Sequence, residues 1–248
     1  MKYKSQLPVI LIVLSIILIW YLGASIFGIN KAFLPSPQDT FLQLLKALTT
    51  SDFWKDLWSS WYRVILAFLL SFVVAYPLTI YALINGNFQR GLFIVVEFFR
   101  YLPIPVFIPL TILWFGIGDS SKIIIVFLGT FAQMIPMFYD SSLMLENKYN
   151  AFGSALKWDR WKYVRNVTLP GSMPYILDNS RICFGWAWTY LIIAELLGAE
   201  NGLGYAIIRS QRYLATDKIF AYIIVIGILG VMMDRFFQLL RKKYFKWA

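Results

Sequence analysis

ALKWDRWKYVRNVTLPGSMP, residues 155–174, is a basic, tryptophan-bearing stretch wedged between two hydrophobic runs. Trp158 and Trp161 stand three apart with Val164 following, so a helix here places them on one stripe while Lys157, Arg160, Lys162 and Arg165 cover much of the remainder. Such polarity excludes a membrane crossing, because each buried cation costs several kcal/mol in hydrocarbon. Two readings fit: a docking surface for a partner outside the membrane, or a helix lying on the membrane face with its tryptophans at the interface.

The flanking sequence is membrane-like. The chain has 248 residues, 59% hydrophobic and 19% aromatic, with a mean hydropathy of +0.64, which is too apolar for a soluble domain of this size. Leu7 to Ile29 carries no charge and exceeds the roughly 20 helical residues that cross a hydrocarbon core. Val64–Ile84, Gly91–Gly116, Ile123–Tyr139, Tyr175–Gly198 and Ile219–Leu240 follow, the last two with charges near their ends. The expected fold is all-α and polytopic, one membrane domain over 1–248 with six transmembrane helices.

Orientation comes from lysine and arginine. With the N-terminus inside, twelve fall in inner segments and eight in outer ones, the latter interleaved with Asp39, Asp52, Asp56, Asp119, Glu200 and Asp217; both termini are then cytoplasmic. The net charge of +10 is explained by these juxtamembrane cations, so no nucleic-acid partner is implied, only membrane lipids. Lys2 and Lys4 before an apolar run resemble a signal peptide, but 23 residues exceed an h-region of about 7–15, which favours an uncleaved first helix. One cysteine, Cys183, and no histidine exclude disulfides, most zinc and haem sites and histidine-dependent catalysis. No metal site is expected.

Residues 31–62 form an outer amphipathic segment. Ser36-Pro37 with Asp39 supplies an N-cap, a first-turn proline and an acidic third position, followed by Phe41, Leu44, Leu45 and Leu48 at helical spacing. Thr50 and Ser51 interrupt it, and Trp54, Leu57, Trp58 and Trp61 lead into the second span. In the third span, Pro103, Pro105 and Pro109 each remove a donor, so its ladder must loosen; such backbone faces either a water-filled cavity or neighbouring protein in a kinked helix. Glu97 with Arg100, and Asp178 with Arg181, have the spacing of intrahelical pairs. Glu195 has no obvious local partner, which makes it a candidate for function.

The residues Ala155-Leu156, Arg160-Trp161 and Arg165-Asn-Val167-Thr-Leu169-Pro170-Gly171 to Pro174 resemble the cytoplasmic coupling loop of binding-protein-dependent ABC importer permeases. Phe33-Leu-Pro35-Ser-Pro37, Arg100 to Pro105 continuing through Pro109 to Gly118, and Ala194-Glu195 to Tyr205 are similar to the sulfonate, taurine and nitrate branch of that family. At the loop's opening the chain departs from the family pattern, with Ala151, Phe152 and Gly153 for a glutamate and two alanines, and Lys157 for a glycine.

The resemblance implies a type I importer permease in a bacterial inner membrane, moving a small polar or anionic solute handed over by an extracytoplasmic binding protein. The chain has no G-x-x-x-x-G-K-[ST] loop, and ATP with Mg would be handled by two partner ATPase subunits beside a second permease subunit. They would meet the loop 146–174, through Ala155, Leu156, Lys157, Trp158, Arg160, Trp161, Arg165, Leu169 and Pro170, with Leu169-Pro170 ending the helix and Ser172 and Pro174 starting the next. The path is assigned to Arg100, Pro103, Pro105, Pro109, Trp188, Thr189 and Glu195. An ion-coupled secondary transporter would need internal repeats, and a membrane enzyme convergent catalytic groups; a non-catalytic subunit of another complex is the remaining alternative.

Overall fold

A computed structural model describes residues 7–25 and 30–247; the side chains of Leu7, Val9 and 147–156 lie outside the described residues. Ten α-helices are found among them: α1 (Leu7–Ser25), α2 (Pro37–Leu48), α3 (Ser51–Ile84), α4 (Gly86–Tyr101), α5 (Ile108–Phe115), α6 (Asp119–Leu156), α7 (Arg160–Tyr163), α8 (Leu169–Gly198), α9 (Leu203–Arg212) and α10 (Thr216–Tyr244). The amphipathic helix α2 starts where its cap predicts, with Ser36 Oγ accepting from the Asp39 amide at 3.1 Å and Pro37 in the first turn.

Long apolar helices set the architecture. α3, α6 and α10 each have the length and hydropathy to cross a membrane, and the bent pairs α4–α5 and α7/α8–α9 bring the number to as many as five; the apolar part of α1, Ile10–Ser25, is shorter. α3 packs on α6 and α6 on α8. Along α3 the buried face runs Val64, Ala67, Ser71, Ala75, Thr79 and Ala82. These small side chains at three- and four-residue intervals allow close backbone approach, the usual basis of helix packing in lipid. Opposite them lie Val126, Met134, Ile135 and Phe138 of α6 and Cys183, Ala187 and Leu191 of α8. The buried hydroxyls of Ser71, Thr79, Thr130 and Ser142 donate to carbonyls four residues back, which satisfies them without a partner helix. Outward faces are apolar, as on α10 with Ile223, Ile228, Val231 and Met232.

The third span is broken. α4 stops at Tyr101, one 3₁₀ turn covers Ile104–Phe107, and α5 resumes at an angle of 88°. Leu102, which precedes Pro103, is extended with ψ 130°, as the proline ring requires, and three missing donors within seven residues leave too few bonds for a merely kinked helix. Ile104 and Ile108 then anchor the break on Ile125 of α6 and Ala194 of α8.

The expected pair Asp178–Arg181 is not formed. Arg181 reaches Asp234 at 3.3 Å and Asp178 receives Arg241 at 3.0 Å, both on α10, so the charges join two helices. Glu97 and Arg100 are exposed, and no ion pair to either is found among the described residues.

Candidate functional site: the inner turn and the outer clamp

The basic stretch forms a tight turn between two long helices. α6 continues to Leu156; Ala151, Phe152, Gly153, Ala155 and Leu156 fall on this backbone, but their side chains lie outside the described residues. The chain turns at Lys157, whose φ is +50°, left-handed backbone that costs a side chain about 1–2 kcal/mol. Asp159 then caps α7, its carboxylate accepting from the Lys162 amide at 3.3 Å.

This turn has two faces. Tyr163, Val164 and Thr168 are buried, whereas Trp161 is 47% exposed and Lys162, Arg165 and Asn166 also point outward. Trp158 precedes the helix, half-buried, with the Lys162 ammonium 5.2 Å from its ring centre, so the predicted single stripe of Trp158, Trp161 and Val164 divides. Arg160, expected at a partner's acidic rim, is engaged internally. Its guanidinium donates to the Leu83 carbonyl and to Glu146 at 2.8 Å each, and Glu146 also accepts from Thr168 at 3.1 Å. Three elements, the end of α3, the inner half of α6 and the turn, are thereby held together.

Leu169-Pro170 does not end a helix. α7 passes through a π turn, Val164–Thr168, directly into α8, with the Leu169 amide bonded to the Val164 carbonyl. A widened turn already shifts the bonding register, so a proline in the first turn of α8 sacrifices nothing. Ser172 donates to Leu169 O at 3.3 Å instead of capping, and Pro174 lies inside α8.

At the far end of α8, Glu195 acquires the partners absent from its own helix. It is 1% exposed and receives Arg63 at 2.7 Å, the Ser60 hydroxyl at 2.7 and 2.8 Å and the Gly204 amide at 3.0 Å. Arg63 also binds Asp119 on α6 at 2.8 Å through Nε, the Asn201 carbonyl at 2.9 Å and the Asn201 side chain. Ser60 accepts from the Leu203 amide at 2.8 Å, and Asp56 holds the Gly202 amide at 2.9 Å and Arg209 at 3.3 Å. The Gly-Leu-Gly spacing follows from this geometry. Gly202 has φ +118°, and a Cβ there would fall 2.6 Å from Glu195 Oε2.

The clamp ties α3, α6, α8 and α9. Its charges are paired and hydrogen-bonded, so it fixes geometry and offers no free nucleophile or base. No metal-holding group of three or more His, Cys, Asp or Glu occurs among the described residues. Of the residues assigned to a path, Glu195 is sealed in this clamp; Trp188 is buried in edge contact with Trp61 at 6.1 Å; and Thr189, Arg100, Pro103 and Pro109 are exposed with Pro105 half-buried. Arg63 and Asp119 escaped the sequence reading because each looks like an ordinary juxtamembrane charge. The available signal was Glu195 itself, since a buried carboxylate requires a cation at the same depth.

A helical bundle with a broken span, a polar turn at one end of α8 and a charged clamp at the other is the architecture of a polytopic membrane protein. Residues 67–246 match the family described as "binding-protein-dependent transport system inner membrane component", and the chain belongs to that family. It is an ABC importer permease subunit of the inner membrane. The aliphatic sulfonates transport permease protein SsuC of Bacillus subtilis (strain 168) is 30% identical, over 94% of this chain and 84% of its own length. The taurine transport system permease protein TauC of Escherichia coli (strain K12) is 29% identical, over 92% and 85%. The nitrate import permease protein NrtB of Synechococcus elongatus is 23% identical, over 94% and 88%. In fold, the chain resembles a chain of the inward-facing MetNI methionine ABC transporter with a TM-score of 0.67, at 18% identity, covering 75% of this chain and 93% of that one.

Proposed function

We propose that this permease imports a small oxyanion of the sulfonate or nitrate kind, delivered by an extracytoplasmic binding protein and driven by two partner ATPase subunits that bind ATP and Mg. The relatives named for sulfonates, taurine and nitrate support the substrate class. In this reading the chain crosses six times with both termini cytoplasmic, and a second permease subunit completes the path. The broken third span, through Arg100, Pro103, Pro105 and Pro109, and the fifth helix, through Thr189, face that path, with Trp188 packed beside Thr189 on Trp61. Glu195 holds the outer end of the path in shape.

The observation that carries the reading is the inner turn. Trp161 and Arg165 point outward from a segment braced by Arg160 on Glu146 and Leu83, so a push on the exposed face reaches α3, α6 and α8 together. Trp161 enters an ATPase groove as an apolar anchor, with Arg165 and Lys157 at its rim. Ala155 and Leu156 extend the contact along the end of α6.

The test is reconstituted uptake with the cognate ATPase and binding protein. Trp161→Ala should abolish most ATP-dependent uptake while the protein still inserts; normal uptake and ATPase association would refute docking at the turn. Thr189→Cys in a Cys183→Ser background should react with a polar thiol reagent in at least one nucleotide state, and complete protection in all states removes Thr189 from the path.

A further inference from the structure

A groove between α8 and α10 is used by neither the inner turn nor the outer clamp. Its apolar part, about 370 Å³, is lined by Phe184, Gly185, Trp188, Gly227, Gly230 and Met233 among others. A methyl group added at Gly185, Gly227 or Gly230 would meet nothing within 4 Å. Glycines in membrane helices ordinarily bring two backbones together; here three of them leave an open trough.

A second cavity of about 560 Å³, bordered by Asp178, Gln238, Arg241, Lys242 and Lys246, adjoins the trough at Arg181, which lines both. The ion pairs Arg181–Asp234 and Arg241–Asp178 hold both guanidiniums at this mouth. Lys242 and Lys246 are exposed, with no ion pair among the described residues. Tyr244 and Trp247, 64% and 65% exposed, flank them, the side-chain type that settles at headgroup depth.

We propose that this groove binds one anionic phospholipid, its phosphate held by Lys242, Lys246 and Arg241 and one acyl chain lying in the glycine-floored trough. A cationic mouth adjoining an apolar trough matches a molecule with a charged head and an apolar tail. Arg181 to Trp188 spans about 10 Å of helix, enough for the head-proximal part of a chain. A free anion would leave the trough empty. A second copy of this chain, with 23 lysines and arginines against 13 aspartates and glutamates, is poorly matched to a cationic mouth. The inner-leaflet location rests on the cytoplasmic C-terminus proposed above; the binding itself does not.

Native mass spectrometry of the purified, delipidated full chain, titrated with phosphatidylglycerol, phosphatidylcholine or inorganic phosphate, tests this without any ATPase. Phosphatidylglycerol should bind about thirtyfold more tightly than phosphatidylcholine, two lysines each contributing near fivefold at a headgroup surface. Lys242→Gln with Lys246→Gln should erase that preference while leaving some lipid bound, whereas Gly230→Leu should lose both lipids. Equal binding of the two lipids by the unmodified chain overturns the proposal, as does displacement of phosphatidylglycerol by phosphate. So does a Gly230→Leu protein that keeps its lipid but changes from dimer to monomer, which would make the groove an interface between copies. Should Gly230→Leu fail to fold, the lysine variant decides the matter. None of these outcomes bears on coupling through Trp161.

Discussion

Replacing Arg63 by methionine removes the cation that forms an ion pair with Glu195 and leaves that carboxylate, 1% exposed, with the Ser60 hydroxyl and the Gly204 amide as its hydrogen-bond donors among the described residues. Breaking a buried pair from one side typically costs about 3–5 kcal/mol. For a chain of this size that corresponds to roughly 6–20 °C in the unfolding midpoint. Glu195→Gln should cost less, about 1–3 kcal/mol, because Arg63 keeps Asp119 and Asn201. The double variant Arg63→Met/Glu195→Leu should recover much of the loss, since an apolar pair of similar volume removes both desolvated charges. Tryptophan-fluorescence melting in detergent reads all three, and limited proteolysis at 199–204 reports whether the α8–α9 connection has loosened. An Arg63→Met midpoint within 2 °C of the parent, or a double variant no more stable than Arg63→Met alone, would refute the clamp.

Four further outcomes are expected. Lys157→Gly should stabilise the inner turn by about 0.5–1 kcal/mol, the relieved left-handed strain less the entropy glycine loses on folding; slower proteolysis at 156–160 checks it. Arg160→Ala should leave Glu146 on Thr168 alone and loosen the turn by about 1.5–3 kcal/mol, read as faster cleavage of the loop in protein that still inserts. Gly202→Ala should destabilise the α8–α9 connection, because its φ of +118° and the Glu195 carboxylate both oppose a Cβ; loss of proteolytic resistance at 199–204 measures it. Asp39 is held below the usual carboxylate range by the Ser36 hydroxyl and by Lys31. Its contribution to the start of α2 is therefore complete above the ordinary carboxylate pKa and fades as pH falls through the depressed one. Hydrogen-exchange protection over 37–48, taken relative to the intrinsic exchange rate at each pH, should fall only in acid.

The parts of this fold legible in the sequence are those encoded locally. The Ser36-Pro37-Asp39 start, the interruption at Thr50-Ser51 and the apolar faces need only a helix turn of context, and all lie where expected. The prolines announced a loosened third span, but the 88° bend depends on Ile104 and Ile108 docking on α6 and α8. Interhelical electrostatics was hidden altogether. Asp178 and Arg181 have intrahelical spacing yet bond to α10, because a stronger partner stood on a neighbour distant in sequence. The internal partners of Arg160 were equally invisible, standing 14 and 77 residues away. Lys157 is the converse: a departure visible in the sequence, where the family pattern has glycine, coincides with left-handed backbone.

The broken third span also has a consequence for biogenesis. α4 holds 16 residues and α5 only 8, about 24 and 12 Å of helix, so neither is a self-sufficient insertion signal. The surfaces that receive the break, Ile125 and Ala194, lie 10 and 79 residues beyond the end of α5. The broken span is therefore expected to settle only once α6 and α8 have been made, and a chain truncated before α8 should leave α4–α5 accessible to protease.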